Sequence, residues 1–501
     1  MTRFRLGFSI KTAVLLILAL MFVLSGYKTA NNGGNVQTGN EEAAGSSPDD
    51  KTYEAAETPS DGDEDDEDYD PGAILPRGAR FSPSTEHYEM KPLLKQLKEG
   101  EELPHSSAGN LILCRGDHYY YGDYVYTYET SGEKPGWIVG LSGDAVNKDS
   151  LGPIFDSICG KPVYKLGFSR AKLKKAPGLP KYLTIMHSAF LGCTCLEEMP
   201  AIPEGVTDLS SAFCGCTSLK TTTKIPDSVK KLTSTFENCL SLVTAPELPD
   251  GLEEMNRTFK GCASLINVPS IPDSVKGMFK TFEDCISLAV SPELPEQLRT
   301  MDSTFFNCTS LKTAPEIPAN VESMTCVFEN TALTEAPVLP AGLKDLSGTF
   351  SYTGIEFPPE IPQGVELIGG CFAFCRNLKK APVLPDSIKQ MEYAFYQCVL
   401  ITEVPNLPEK VIIMDNAFSG CSSLETLPAI PESAESVRGF CQDCISLTGI
   451  IEFKRPYYLQ NECIDAFKGT VKPIYLIGPY EWQLDTFLTP EQTNVQILWA
   501  D

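Results

Sequence analysis

Basic residues are scarce in this chain. Its 501 residues include 41 lysines and arginines against 66 aspartates and glutamates, which gives a formal net charge of −25. A protein that binds nucleic acid neutralises phosphates with lysine and arginine, so this balance argues against nucleic acid as a partner.

Residues and motifs that carry catalysis are also scarce. There are four histidines, and none lies near a Gly-x-Ser-x-Gly nucleophile motif. The chain has no Walker phosphate loop, no Gly-x-Gly-x-x-Gly turn after a strand and no His-Glu-x-x-His zinc motif. We therefore expect no catalytic residue, no cofactor and no metal.

The N-terminus lacks an apolar run as long as an ordinary membrane span, which needs about 20 residues. Basic residues precede an apolar run over residues 12–24, which is the order found in a signal peptide. The sequence Leu24-Ser25-Gly26-Tyr27 is similar to a bacterial lipoprotein box, but Tyr27 stands where the lipid-bearing cysteine belongs. Tyr27 cannot be lipidated.

Residues 1–27 are therefore predicted to be either a cleaved signal peptide or a retained N-terminal membrane anchor. In both cases the rest of the chain lies outside the cytoplasm, at the cell surface or secreted. Membrane contact is expected only through residues 10–27, and only when they are not cleaved.

Residues 28–73 contain few apolar side chains. Between Glu41 and Asp70 there are 14 acidic residues and one basic residue. Such a segment cannot bury enough surface to offset the entropy of ordering, so it is predicted to be a disordered acidic linker. Calcium binding by the acidic run is the weaker alternative, because the run lacks the glycine and the fixed ligand spacing of a calcium loop.

The abundant feature is a repeat. A phenylalanine recurs every 23 residues from Phe190 to Phe328, then twice after 22 residues at Phe350 and Phe372, and a cysteine follows most of these phenylalanines three residues later. The predicted structural core of the repeat comprises Phe190, Cys193, Phe213, Cys216, Phe236, Cys239, Phe259, Cys262, Phe282, Cys285, Phe305, Cys308, Phe395, Cys398, Phe418 and Cys421.

A fixed period of this length indicates a solenoid in which each copy buries its apolar side against the next one. We predict an α/β-type repeat solenoid over residues 166–472, of about 12–13 turns with short parallel strands. Most copies carry a proline in a Leu-x-x-Ala-Pro stretch, and proline cannot donate to a β-ladder. The Val-x-x-Met stretch is therefore expected to carry part of the pairing.

The repeat resembles the BspA-like leucine-rich repeats of bacterial surface proteins. The resemblance rests on stretches such as Ala189-Phe190-Leu191-Gly192-Cys193 and Ala417-Phe418-Ser419-Gly420-Cys421-Ser422-Ser423-Leu424, and it covers roughly residues 165–475. It implies a right-handed leucine-rich-repeat coil and adhesion to host or neighbouring-cell proteins.

The cysteine position asks for a small buried side chain, because threonine replaces cysteine at Thr331, Thr353 and Thr470. Structural thiols are the favoured interpretation, and disulfides remain open because an exported chain permits them. Cys114 and Cys159, outside the repeat, are the better disulfide candidates.

The flanks lack the period. Residues 74–165 are predicted to be a small α+β module, with a helix over 91–98 and a hairpin over 118–128, and residues 473–501 are predicted to be a C-terminal cap. In the hairpin, Tyr119, Tyr121, Tyr124 and Tyr126 are candidate ligand contacts. The alternative is that they occupy the two faces of a β-ribbon.

The sequence favours a non-enzymatic, adhesin-like surface or secreted protein that is monomeric and binds an extracellular protein or glycan. One alternative is an envelope-structural or self-associating surface protein. The other is an enzyme within residues 75–165, for which no constellation of residues is visible.

Overall fold

A computed structural model describes residues 112–115, 118–121, 123–129, 136–141, 143, 145–152, 154–158, 161–455, 460–478 and 494–499. All of them belong to one compact unit that extends over Gly72–Asp501. The strands are β1 (Ile112–Arg115), β2 (His118–Tyr121), β3 (Tyr124–Glu129), β4 (Gly136–Leu141), β5 (Ser157–Ile158), β6 (Lys161–Gly167), β7 (Gly449–Glu452), β8 (Ile474–Gly478) and β9 (Val495–Trp499). A 3₁₀ turn spans Ala145–Asn147, and a single-turn helix α1 spans Gln460–Cys463.

The repeats form a solenoid of parallel copies, as the period predicts. On the side that carries the Val-x-x-Met stretch, called here the Met side, one residue of each copy pairs with its counterpart in the next copy. The bridged residues run without a gap through Lys165, Ile185, Asp208, Lys231, Glu254, Gly277, Thr300, Ser323, Asp345, Leu367, Gln390, Ile413 and Ser436. The prediction that this stretch carries pairing is confirmed.

The side that carries the Leu-x-x-Ala-Pro stretch, called here the proline side, pairs only intermittently in the described residues. Its bridges are Lys175 to Glu198, Glu198 to Thr221, Thr244 to Asn267, Glu403 to Thr426 and Ile430 to Phe453. Proline has no N–H to donate, which limits pairing on this side. It does not by itself set the gaps, since no bridge joins Thr221 to Thr244 although Thr223 replaces the proline of that copy.

Near the C-terminal end of the solenoid, where the proline is also absent, the same side forms true strands. Ile451 stands where Pro428 stands one copy earlier, and β7 pairs in parallel with β8 through four residues. Strand β8 then pairs in parallel with β9 through five residues. The residues predicted as a cap therefore include two strands that lengthen the ladder of the proline side.

The third side, called here the turn side, runs from two residues before each phenylalanine to two residues after it. It is built from tight turns, and almost no helix is present in the described part of the chain. Backbone hydrogen bonds link the copies here as well, such as Phe259 N to Thr281 O at 3.0 Å and Gly261 N to Glu283 O at 2.7 Å.

The N-terminal sheet is continuous with the solenoid. Strands β1 to β4 form an antiparallel meander, and the pairing of β2 with β3 confirms the expected hairpin. Strand β4 pairs in parallel with β6, and Lys165 of β6 bridges to Ile185 in the solenoid. The predicted boundary between residues 165 and 166 thus falls inside β6. The helix predicted over 91–98 lies outside the described residues, as do the segments 1–27 and 28–73.

Candidate functional site

The phenylalanines of the repeat form a single stack through the solenoid. Each predicted core residue has no exposed surface. From Phe190 to Phe418, neighbouring rings lie 5.2–6.1 Å apart between centroids, with planes inclined by 0–16°. At both ends the stack closes with a ring turned edge-on, Phe168 at 80° and Phe440 at 86°.

The cysteine position holds a hydrogen-bond donor. Ten thiols donate to the carbonyl oxygen of the phenylalanine of the preceding turn at 3.0–3.2 Å, as Cys285 does to Phe259. Burial raises the pKa of the Cys193 and Cys375 thiols to about 11 and that of Cys285 well above its usual range. These groups are neutral thiols that satisfy buried carbonyls, which gives them a structural role.

All cysteines whose side chains are described are free thiols. The side chain of Cys114 and the whole of Cys159 lie outside the described part, so the disulfide candidates stay predictions.

In two of the three copies in which threonine replaces cysteine, the copy is one residue shorter. In the copies that follow Phe328 and Phe350, the corner after the cysteine position has lost one residue. There Thr331 donates to Phe328 O at 2.8 Å and Thr353 to Phe350 O at 2.6 Å, both within their own copy. A different buried donor therefore suits the shorter corner.

The hairpin tyrosines do not form a described recognition surface. Tyr124 is 3 % exposed and its ring stacks on Phe168, while Tyr126 is 1 % exposed. Their rings cover the N-terminal end of the core, and this burial does not support the predicted ligand contact. Tyr119 and Tyr121 lie in β2, and their side chains are outside the described part.

The Met side carries charges that change sign from copy to copy. Lys389 Nζ lies 2.6 Å from Glu366 Oε2, and each residue occupies the same position in its copy. The order along this row is Lys230, Glu253, Lys276, Arg299, Glu322, Lys344, Glu366 and Lys389. The alternation fails at Lys276 and Arg299, where two cations are neighbours beside shallow open depressions of the surface.

The turn side carries an aromatic patch that sequence reasoning missed. It consists of Tyr352, Phe374, Tyr393 and Tyr396, four half-buried side chains from three successive copies. The sequence did hold a signal for it. The position two residues after each phenylalanine is glycine, asparagine or aspartate in most copies, but it is Tyr352, Phe374 and Gln397 in three successive ones.

Neither a metal site nor a membrane-spanning helix occurs among the described residues. They contain no group of three or more histidine, cysteine, aspartate or glutamate residues placed to hold a metal ion. Nor do they contain a helix of the length and apolarity that a bilayer crossing requires.

Similarity to known proteins follows the repeat. A sequence model described as the BspA type leucine rich repeat region matches residues 163–289, 233–356 and 346–470. A search of curated proteins finds no match.

Three solved structures illustrate the similarity. A leucine-rich repeat protein from Bacteroides ovatus is 22 % identical over 75 % of this chain and 98 % of its own, with a TM-score of 0.46. A leucine rich cell surface protein from Faecalibacterium prausnitzii is 22 % identical over 68 % of this chain and 95 % of its own, also with a TM-score of 0.46. The pneumococcal vaccine antigen PcpA is 17 % identical over 77 % of this chain and 98 % of its own, with a TM-score of 0.38.

The match to the family model extends over more than half of the chain, and the ring stack and cysteine position described above lie within it. The chain belongs to the BspA-type leucine-rich repeat family of bacterial surface-type proteins.

Proposed function

We propose that this chain is a non-enzymatic, adhesin-like protein that binds an extracellular protein, with a glycan as the alternative ligand. The observation that carries the proposal is a constant backbone with changing exposed residues. The buried phenylalanine and thiol repeat from copy to copy, whereas the outward residues of the Met side and the turn side do not. A scaffold of this kind offers a long surface for recognition.

Chemistry supports binding over catalysis. The raised pKa values of the buried thiols keep them protonated and unreactive at neutral pH, because the thiolate is the nucleophile. The exposed charges of the Met side pair with one another across copies, as Lys231 does with Glu254 at 3.3 Å. Such residues suit a surface that meets another macromolecule.

The proposal includes location and assembly. The basic and apolar N-terminus directs export, and residues 10–27 hold the protein at the membrane unless they are cleaved. The acidic segment 28–73 then separates the solenoid from the cell envelope. The exported protein acts as a monomer.

The test is a binding screen of the purified full chain against immobilised extracellular matrix proteins, a glycan array and whole partner bacteria. Saturable binding to a protein, with light scattering that reports a monomer at every concentration, is the expected result. Concentration-dependent assembly without any binding would instead favour the self-associating alternative. Intact mass of the native protein reports cleavage near residue 27.

A further inference from the structure

The turn-side aromatic patch is a continuous cluster of rings. Tyr352 and Phe374 stack at 4.3 Å between centroids with planes 16° apart. Phe374 meets Tyr396 at 5.1 Å and 71°, and Tyr396 meets Tyr393 at 5.6 Å and 66°. All four side chains are half-buried, so an apolar surface remains open to solvent.

The backbone under this patch is held in an unfavourable conformation. Tyr352 and Phe374 have φ angles of 59° and 60°. A bulky side chain is uncommon in this left-handed region, where glycine, asparagine and aspartate are favoured. Other copies carry favoured residues at this position, as at Gly261 and Asn307, apart from Gln397 with a φ of 60°. Strain of this kind clusters at functional sites.

The patch also lies where the solenoid departs from its regular period. Tyr352 directly precedes Thr353, the threonine of a shortened corner, and Phe374 follows in the next copy. The ring of Phe350 is inclined by 15° to that of Phe328 and by 16° to that of Phe372. The other neighbouring rings between Phe190 and Phe418 are inclined by 11° or less. Period, backbone and surface chemistry thus change together at one place.

The charges around the patch include two carboxyl groups without an ion pair among the described residues, Glu329 and Glu392. Burial raises the pKa of both, and the carboxyl of Glu329 acts electrostatically on the Tyr352 hydroxyl. Arg438 is committed to Asp415, to which its Nε donates at 2.6 Å. Exposed Arg376 is the remaining cation near Tyr352.

We propose that this turn-side aromatic patch is the docking site for a protein partner that places an apolar side chain on the rings and a basic side chain beside Glu329 or Glu392. The inference rests on the proposed function and names its site. Tyrosine, phenylalanine and arginine are enriched at the centre of protein interfaces. A glycan fits less well, because Tyr352 and Phe374 already use ring faces on each other.

The test uses the full chain and a phage-displayed library of short random peptides as the probe. The variants are Tyr352→Asn and Phe374→Asn, which install a residue that other copies carry at this position. We expect these variants to keep the circular dichroism spectrum of the parent and a thermal midpoint no lower than that of the parent, because asparagine suits the left-handed backbone. The selected peptides should combine an aromatic or leucine residue with arginine or lysine, and their affinity should fall about tenfold or more in either variant.

Phe279→Asn is the matched control, because Phe279 is an exposed aromatic residue outside the patch, 39 % accessible. Peptides that bind the parent and both patch variants equally would overturn the inference and leave the proposed function standing. Failure to select any peptide would also overturn it, as would a glycan whose binding is lost in the same variants. Failure of the proposed function itself shows separately, as absence of protein binding in the screen described above.

Discussion

The middle of the solenoid and its C-terminal end hold their copies together in different ways. In the middle, parallel rings stack through the core, while the proline side pairs through single bridges or none. At the end, Phe440 turns edge-on and the proline side forms the three-stranded sheet of β7, β8 and β9.

Proline contributes to this difference. A proline in the Leu-x-x-Ala-Pro stretch removes a donor from the ladder, so the middle copies depend more on their buried side chains. Ile451 restores the donor, and backbone pairing takes over where the stack ends. Single substitutions separate the contributions of the ring stack and the backbone pairing.

The largest effect is expected from Phe282→Ala, which removes one ring from the middle of the stack. Loss of a fully buried phenylalanine costs about 3–5 kcal/mol of unfolding free energy, because burial is lost and a cavity remains. Urea unfolding followed by circular dichroism measures it. The control Phe279→Ala removes a ring that is 39 % exposed and should cost less than about 1 kcal/mol. Equal costs would show that the stack is not what joins the middle copies.

The next largest effect is expected from Ile451→Pro, which places a proline in the C-terminal strand β7 at the position where most middle copies carry one. Ile451 is 1 % exposed and pairs with Leu476, so the change removes both a ladder donor and buried apolar surface. We expect a loss of about 2–5 kcal/mol, together with faster amide hydrogen exchange in β8. Ile450→Ala is the control in the same strand, because that side chain is 60 % exposed. Unchanged exchange in β8 would count against a role for backbone pairing at this end.

The thiol ladder gives the third prediction. Cys285→Ala removes the thiol that donates to Phe259 O and should cost about 1–2 kcal/mol, because a buried hydrogen bond and the packing of the sulfur are lost. The carbonyl keeps its bond from Cys262 N at 3.0 Å. Cys285→Thr keeps a small buried donor and should cost less, with its hydroxyl donating to Phe282 O of its own copy as Thr331 donates to the phenylalanine carbonyl of its copy. Thermal unfolding of both variants measures the order. If alanine proved the better replacement, packing alone would account for the position.

Gly215→Ala tests the turn side. Gly215 has a φ of 73°, and a Cβ built there lies 3.5 Å from the nearest atom, so the cost is conformational and not steric. We expect a loss of about 1–2 kcal/mol in urea unfolding. Gly178→Ala is the matched control, since its Cβ meets nothing within 4 Å and its φ is not positive, and it should be close to neutral. A similar loss in both would remove the strain argument made for Tyr352.

The smallest effect is a pH dependence. Burial raises the pKa of Glu329 in the folded protein, so the folded state binds its proton more tightly than the unfolded state does. Its contribution to stability is therefore full below the ordinary glutamate pKa of about 4.3 and is lost as pH rises through the raised value. Glu329→Gln should be more stable than the parent at neutral pH, and the advantage should shrink on acidification. Thermal midpoints over this range report it, and a constant difference would contradict the raised pKa.

The solenoid and its pairing side followed from the sequence because each copy repeats the same periodicity. The phenylalanine spacing gave the stack, and the proline pattern gave the weaker ladder. The hydrogen bonds of the thiols could not be predicted from the sequence. The exchange of cysteine for threonine indicates the size of the buried side chain, but it does not identify the carbonyl group that the side chain faces.

The exposed aromatic surface was harder to predict from the sequence than the fold. The density of tyrosines in the hairpin predicted a ligand contact there. Tyr124 and Tyr126 are instead buried, because the N-terminal sheet packs on the first ring, Phe168. The turn-side patch is spread over three copies, about 20 residues apart along the chain. It becomes visible in the sequence only when the copies are aligned and their exceptions compared.

Because each copy docks on a near-identical neighbour, the number of copies is a variable that recombination can change without redesigning either terminus. Gain of a copy before Phe350 would carry Tyr352 and Phe374 one turn farther from the N-terminal sheet and leave their surroundings intact. The length of the solenoid, and with it the distance between the N-terminal sheet and the aromatic patch, can therefore evolve independently of the residues that form the patch.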